Sequence, residues 1–191
     1  MKHGARLAAA AALLASPALQ AAPPDVDPNV AEAKAIIQAF FGNLKGELQT
    51  AIQSGGPASA VTICNAKAPG IANAMSAKTG WDVGRTSLKL RNPNVNAPDA
   101  WEQAVLVRFE ERKAAGESVE TMAYAETVEA NGAKTFRFMK AIPTAELCLT
   151  CHGTDLVPEV AAEVDKFYPD DQATGFALGD IRGAFTLSKP L

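Results

Sequence analysis

Asn131-Gly132 constrains the fold more than any other feature of the sequence, because it separates two stretches in which apolar and polar residues alternate. Alternation with a period of two is typical of half-buried strands, and Asn-Gly favours the tight turn of a β-hairpin. We therefore predict two antiparallel strands within residues 119–143. A third strand is predicted at IRGAFTLS, residues 181–188. Its predicted inward face consists of Ile181, Gly183, Phe185 and Leu187.

Before the hairpin the apolar residues recur at helical spacing instead. Asp27-Pro28 offers an N-cap followed by proline at the first helical position, and the pattern continues to residue 53. Gly55-Gly56 is predicted to end this long helix. Further helices are predicted from Pro57 to Gly80 with a kink or break at Pro69, from Pro98, and from Pro158 to Tyr168. A short extended run is predicted at residues 85–90. Helices come first, most strands come later and no βαβ alternation occurs, so the predicted fold class is α+β.

The N-terminus is typical of a secretory signal peptide. Lys2 and Arg6 precede an Ala/Leu run over residues 7–15, which is shorter than the roughly 20 residues that span a bilayer. We expect residues 1–21 to be removed and residues 22–191 to form one periplasmic domain with no membrane span. The whole chain has a formal net charge of −3, and loss of the two basic residues makes it more acidic. Nucleic acid is therefore not an expected partner.

The segment CLTCHG, residues 148–153, carries the clearest chemical signal. Cysteines two apart occur in dithiol redox sites, zinc sites and haem c attachment sites. A dithiol site of the thioredoxin type needs a βαβ context that is missing here. Zinc would need Cys64, Cys148, Cys151 and His152 together, and adjacent Cys151 and His152 are poorly placed to turn toward one tetrahedral ion.

Covalent haem uses each residue of this motif in a different way. The two cysteine sulfurs add to vinyl groups and the following histidine becomes an axial ligand of the iron. Export agrees with this reading, and His152 is the single histidine left once residues 1–21 are removed. The motif therefore favours one covalent haem c. The residues alone leave the opposite axial position open to Cys64, Met75, Met122, Met139, a lysine, water or no ligand.

Four segments of the sequence resemble a known family. They are TICNAKAPGIAN (62–73), GRTSLKLRNPNVNAPDAWE (84–102), CLTCHG (148–153) and YPDDQATGFALGDIRGAF (168–185). Together they resemble the periplasmic PAS-like c-type haem domains. The resemblance implies a PAS-like antiparallel sheet flanked by helices and one haem c with a His/Cys axial pair. By position it implies thioether bonds at Cys148 and Cys151, with His152 and Cys64 as axial ligands.

Basic residues of the second segment suggest contacts with the haem propionates. Arg85, Lys89 and Arg91 are the predicted partners, because a guanidinium matches a carboxylate in geometry and charge. A loop-bracing or solvated role is the alternative for each. Asp180 and Arg182 are predicted to form an ion pair at the start of the last strand.

We expect a non-enzymatic protein, because two protein axial ligands leave no site for a substrate. The expected function is low-potential electron transfer to an unidentified redox partner protein, since a thiolate ligand stabilises the ferric state. The alternative is a haem-based redox or diatomic-gas sensing module that acts on a separate partner or a membrane sensor. No output domain follows the haem motif, which favours electron transfer.

Overall fold

A computed structural model of the chain describes residue 1 and residues 27–191. The signal-peptide prediction thus falls outside the described residues, apart from Met1. The helices are α1 (Pro28–Thr79), α2 (Pro93–Asn96), α3 (Ala100–Ala114), α4 (Glu146–His152) and α5 (Pro158–Phe167). The strands are β1 (Asp82–Thr86), β2 (Ala123–Ala130), β3 (Ala133–Pro143) and β4 (Ile181–Pro190). In this described part, no helix combines the length and the apolar character needed to cross a membrane.

Helix α1 is bent at Gly56 into two segments, residues 28–55 and 57–79. Its first turn is capped by Asp27, whose side chain accepts a hydrogen bond of 2.8 Å from the Asn29 amide. Gly56 has φ 76° and ψ 178°, a conformation that is essentially restricted to glycine. The Ser59 hydroxyl donates to the Ala51 carbonyl at 2.7 Å, so the chain folds back on itself at this point. The predicted break at Gly55-Gly56 is confirmed.

The second segment of α1 ends before Gly80 as predicted, and it is not broken at Pro69. Gly56 is the one position of α1 with non-helical angles, so the helix continues through Pro69 without a break. Proline removes one amide donor from the helix, and the backbone angles around Pro69 stay helical. Gly80 ends it in the left-handed conformation, with φ 75° and its amide donating to the Ser76 carbonyl at 3.0 Å.

The four strands form one antiparallel sheet in the order β1-β4-β3-β2. The hairpin predicted at Asn131-Gly132 is confirmed, with φ angles of 53° and 78° that fit a tight turn between β2 and β3. The extended run predicted at residues 85–90 lies earlier, at Asp82–Thr86, and pairs with β4. Helix α3, predicted to start around Pro98, begins at Ala100, where Asp99 and Glu102 form a capping box.

Both faces of the sheet are covered by helices. Phe138 and Met139 are neighbours on β3 and therefore point to opposite faces. Phe138 packs in a core cluster with the first segment of α1, and Met139 packs in a second cluster with α3. A third, smaller cluster lies between α1 and α5. The predicted α+β fold, with a long N-terminal helix and an antiparallel sheet flanked by helices, is confirmed.

The single inward face predicted for the last strand is wrong at its start. Phe185 and Leu187 belong to the α1 cluster, whereas Ile181 belongs to the α3 cluster on the other face. The pairing between β3 and β4 shifts register at Ile142/Pro143, and such a shift reverses the face that side chains occupy. The three methionines considered as ligands, Met75, Met122 and Met139, are buried in these clusters.

Candidate functional site

The CLTCH segment forms the short helix α4, which follows β3 directly. Cys148, Cys151 and His152 are half-buried there, and all three cysteines of the described chain are free thiols. Residues three apart share one side of a helix, so the two thiols of α4 lie next to each other. Cys151 also packs against the cluster between α1 and α5. The sequence motif is therefore presented as a helical turn against α1 and α5.

Cys64 lies on the second segment of α1 and is also half-buried. Burial raises the pKa of its thiol, and the positive charges of Arg85 and Arg91 act in the opposite direction. Burial likewise raises the pKa of Cys151, and its other influences are Arg91, Cys64 and Cys148. The fold therefore brings Cys64 into the electrostatic neighbourhood of α4, although 83 residues separate it from Cys148 along the chain.

The imidazole of His152 is held by a backbone carbonyl. Its Nδ1 lies 2.7 Å from the oxygen of Ala173 and 2.7 Å from Nη2 of Arg91. One ring nitrogen cannot donate to the carbonyl and accept from the guanidinium with the same orbital. Arg91 Nη2 has two other acceptors, so we assign the proton to Nδ1, which leaves Nε2 as the free basic nitrogen. Burial, then Arg182 and Arg91, hold the pKa of His152 well below its usual range.

Arg91 joins the end of α4 to the loop at residues 171–176. Its Nη2 donates to the carbonyl of Cys151 and to that of Ala173, the latter at 3.2 Å. Its Nη1 lies 3.2 Å from a carboxylate oxygen of Asp171. The aromatic ring of Tyr168 lies 5.8 Å from the guanidinium carbon. Arg91 was predicted as a propionate partner, and its guanidinium already makes these contacts within the protein; the propionate role stays a prediction.

Two further arginines share this region. The pKa of Arg182 falls to about 10 because of burial and the positive charges of Arg85 and Arg91. Burial also lowers the pKa of Arg85, and the nearby Cys64 thiol acts in the opposite direction. Within residues 27–191, neither Arg85 nor Arg182 forms an ion pair with a carboxylate. Asp171 is the acidic group that acts on both Arg91 and Arg182.

The predicted Asp180–Arg182 ion pair is wrong. Asp180 binds Lys113 instead, at 2.6 Å, because α3 ends beside the start of β4. The guanidinium carbon of Arg182 lies 5.3 Å from the ring centre of Phe176. Its Nε is buried and makes no hydrogen bond. Sequence analysis did not assign Arg182 to the site, although it lies in the fourth segment of the resemblance.

Phe176 is a second site residue that the sequence did not reveal. It is 7% exposed, and its ring meets the His152 ring edge-on at 6.3 Å between ring centres and 86° between planes. Lys89, a predicted propionate partner, lies with its ammonium 5.0 Å from the same ring and donates to the Thr174 carbonyl at 3.0 Å. Lys89 is exposed, so a propionate contact there stays a prediction.

Two cavities of the described residues reach the edge of this region. The larger one, of about 650 Å³, has only Arg85 in common with the predicted site residues. A smaller one, of about 340 Å³, includes Lys89 and Phe176. No group of three or more His, Cys, Asp or Glu side chains in residues 27–191 converges as a metal site would require. The arrangement of Cys64, Cys148, Cys151 and His152 therefore does not form the zinc cage that the sequence left as an alternative.

Comparison with known proteins gives the family. The Tll0287-like family model matches residues 15–190, which is nearly the whole chain. The chain belongs to the Tll0287-like family. This membership confirms the family resemblance drawn from the four sequence segments. No curated protein sequence matches the chain. Among solved structures, the cyanobacterial haem protein Tll0287 shares 24% identity with this family member at a TM-score of 0.65. The match covers 86% of this chain and 97% of that one, and it supports the α+β fold.

Proposed function

We propose that this protein carries one covalent haem c and transfers electrons at low potential without catalysing a reaction. Cys148 and Cys151 would hold the haem through thioether bonds, and His152 and Cys64 would be the axial ligands. The similar structure is that of a haem protein, which supports a haem in this chain too. The observation that carries the proposal is the hydrogen bond from His152 Nδ1 to Ala173, which leaves Nε2 free on the same helical turn as two thiols.

The charge of the surrounding residues fits such a group. Arg85, Arg91 and Arg182 carry three positive charges, and the carboxylate of Asp171 acts on Arg91 and Arg182. Nε of Arg182 is a buried donor without a hydrogen-bond partner among the described residues, whereas Nη1 of Arg91 is paired with Asp171. Two propionate groups would balance the remaining charge and supply an acceptor for Nε of Arg182. A group without negative charge would leave the arginines uncompensated.

Four residues have distinct roles in this proposal. Cys148 and Cys151 would anchor the haem through thioether bonds. His152 would donate the electron pair of Nε2 to the iron, and Cys64, on α1, would donate an electron pair of its sulfur. Bound haem would supply a one-electron redox centre, and a thiolate ligand favours its ferric state. We propose that the chain is exported to the periplasm, where a separate protein exchanges electrons with it. The sensing alternative requires Cys64 to leave on reduction and open a site for a small gas.

The first test is haem attachment. The full chain is expressed with a haem c maturation system, and intact mass spectrometry is recorded with Cys148→Ser, Cys151→Ser and Thr150→Ala. We expect the haem mass on wild type and on Thr150→Ala, the matched control inside the motif. The serine variants should each lose one thioether bond. A wild-type protein that carries no haem after maturation contradicts the proposal.

The second test concerns the axial ligands and the choice between functions. We expect a low-spin thiolate signature by electron paramagnetic resonance that disappears in Cys64→Ala. Electron transfer predicts that the reduced protein remains low-spin and binds no carbon monoxide. Uptake of carbon monoxide by the reduced wild type, with loss of the low-spin spectrum, would replace electron transfer by the sensing function. Identical spectra for wild type and Cys64→Ala would remove Cys64 from the ligand set.

A further inference from the structure

Arg91 and Asp171 form an ion pair that is almost removed from solvent. Their side chains are 12% and 9% exposed, and Nη1 of the arginine lies 3.2 Å from Oδ2 of the aspartate. The pair lies directly behind His152, between the loop after β1 and the loop that precedes β4. Buried charges are costly unless paired, so a pair in this position is expected to have a defined task.

The loop at residues 171–176 is tied to both of its neighbours. The other carboxylate oxygen of Asp171 accepts the amide of Ala173 at 2.8 Å. Amides of Gly175 and Phe176 donate to the carbonyls of Gly153 and His152, at 2.9 and 3.0 Å. The amide of Gln172 donates to the carbonyl of Leu90 at 2.8 Å. The loop is therefore held against the end of α4 by its backbone.

Two donors converge on one carbonyl oxygen of this loop. The oxygen of Ala173 lies 2.7 Å from His152 Nδ1 and 3.2 Å from Arg91 Nη2. The same Nη2 also donates to the carbonyl of Cys151, the residue before His152. Arg91 thus binds the carbonyl that accepts from His152 as well as the backbone next to His152. Asp171 in turn contacts both the Arg91 side chain and the Ala173 amide.

We propose that Arg91, backed by Asp171, is a positioning residue that holds the Ala173 carbonyl against His152 and so fixes the orientation and tautomer of the imidazole. The inference rests on the proposed haem ligation by His152. A firm Nδ1–H hydrogen bond makes the opposite nitrogen a stronger electron donor, which stabilises the ferric state. Loosening the carbonyl should therefore raise the reduction potential.

Substitution of Arg91 by lysine distinguishes the positioning role from a simple effect of charge. Arg91→Lys keeps the positive charge beside His152 but loses the planar fork that reaches two carbonyls and a carboxylate together. Loss of positive charge alone would lower the reduction potential, whereas loss of positioning should raise it. Arg108→Lys is the matched control, because Arg108 is exposed on α3 with its guanidinium 4.6 Å from the Tyr124 ring.

The experiment is a redox titration of the matured haem protein in wild type, Arg91→Lys, Asp171→Asn and Arg108→Lys, with electron paramagnetic resonance of each ferric form. We expect a higher potential and altered g-values in Arg91→Lys. At a fixed solution potential, the ratio of reduced to oxidised protein should rise several-fold. Asp171→Asn should also raise the potential, because it loses a negative charge as well as the support of Arg91, so altered g-values are the readout of positioning in this variant. Arg108→Lys should match wild type.

The outcomes are distinguishable from those of the proposed function. Because the haem is covalent, the loaded fraction of a poorly maturing variant can be purified and titrated in the same way. Unchanged potential and g-values in loaded Arg91→Lys, or a lower potential, would overturn the positioning role while the haem function stands. A wild type without haem would overturn the proposed function itself, and the positioning role with it.

Discussion

Gly183 on β4 lies directly against the carbonyl oxygen of Thr86 on β1. A Cβ atom at position 183 would collide with that backbone oxygen, and Gly183 has φ 154°, which side chains rarely adopt. Gly183 lies on β4 between Arg182 and Ala184, the residue at which pairing with β1 begins. A glycine is therefore required at this point of the sheet.

Gly183→Ala should destabilise the protein by about 1–3 kcal/mol, because a backbone oxygen cannot move aside as a flexible side chain can. Chemical denaturation of the variant measures the loss. Gly84→Ala on β1 is the control, since its added Cβ would make ordinary contact at 3.5 Å with the Thr186 methyl group. Equal stability of the two variants would show that the contact at Thr86 relaxes without cost.

Two glycines of α1 should respond to alanine substitution with opposite changes in stability. Gly56→Ala should cost about 1–3 kcal/mol, because its φ of 76° and ψ of 178° are strained for any residue with a side chain. Gly46→Ala, within the first segment and with open space around its Cβ position, should stabilise by about 0.5–1 kcal/mol through helix propensity. Thermal unfolding of both variants measures the effects, and stabilisation by Gly56→Ala would contradict the bend.

The Lys113–Asp180 ion pair predicts a dependence of stability on pH. A hydrogen bond from Lys113 is the main cause that lowers the pKa of Asp180. A carboxyl group with a lowered pKa in the folded state contributes stability above its unfolded pKa of about 3.9. That contribution is lost as the pH falls through the folded value. Asp180→Asn should therefore be less stable than wild type at pH 7, and the difference should vanish at strongly acidic pH.

A carboxylate elsewhere on the surface serves as the control for this pH prediction. Asp165 is exposed on α5, and Asp165→Asn should change the free energy of unfolding little at either pH. Denaturation midpoints at both pH values provide the comparison. A deficit in Asp180→Asn that persists at strongly acidic pH would mean that the residue acts through shape rather than through its charge.

The buried methionines should matter for stability alone. Met122 and Met139 are fully buried in the α3 cluster, so alanine at either position should cost about 2–5 kcal/mol. The visible and paramagnetic resonance spectra of the matured protein should not change, because neither side chain is a ligand in the proposed function. A changed ferric spectrum with little loss of stability would return a methionine to the list of axial ligands.

Local signals in the sequence predicted the elements that depend on neighbouring residues. Asn131-Gly132 defined the hairpin because the positive φ angles of its turn are properties of those two residues. Asp27-Pro28 and Gly80 marked the ends of α1 for the same reason. The face of Ile181 was predicted wrongly, because it depends on a register shift in the pairing with a strand some forty residues earlier.

The residues of the candidate site also divide into those that the local sequence predicts and those that only the fold brings together. The sequence by itself determined the motif at residues 148–152, since the spacing of the two cysteines and the histidine is a local property, and the family segments added Cys64. Only the tertiary structure decided which groups surround them. The acceptor for His152 is a backbone carbonyl, which any residue carries and no sequence pattern reveals. Arg91 comes from the loop after β1, Asp171 and Phe176 come from the loop before β4, and Arg182 lies on β4 itself. Only the folding of the sheet and helices brings their charges and rings together.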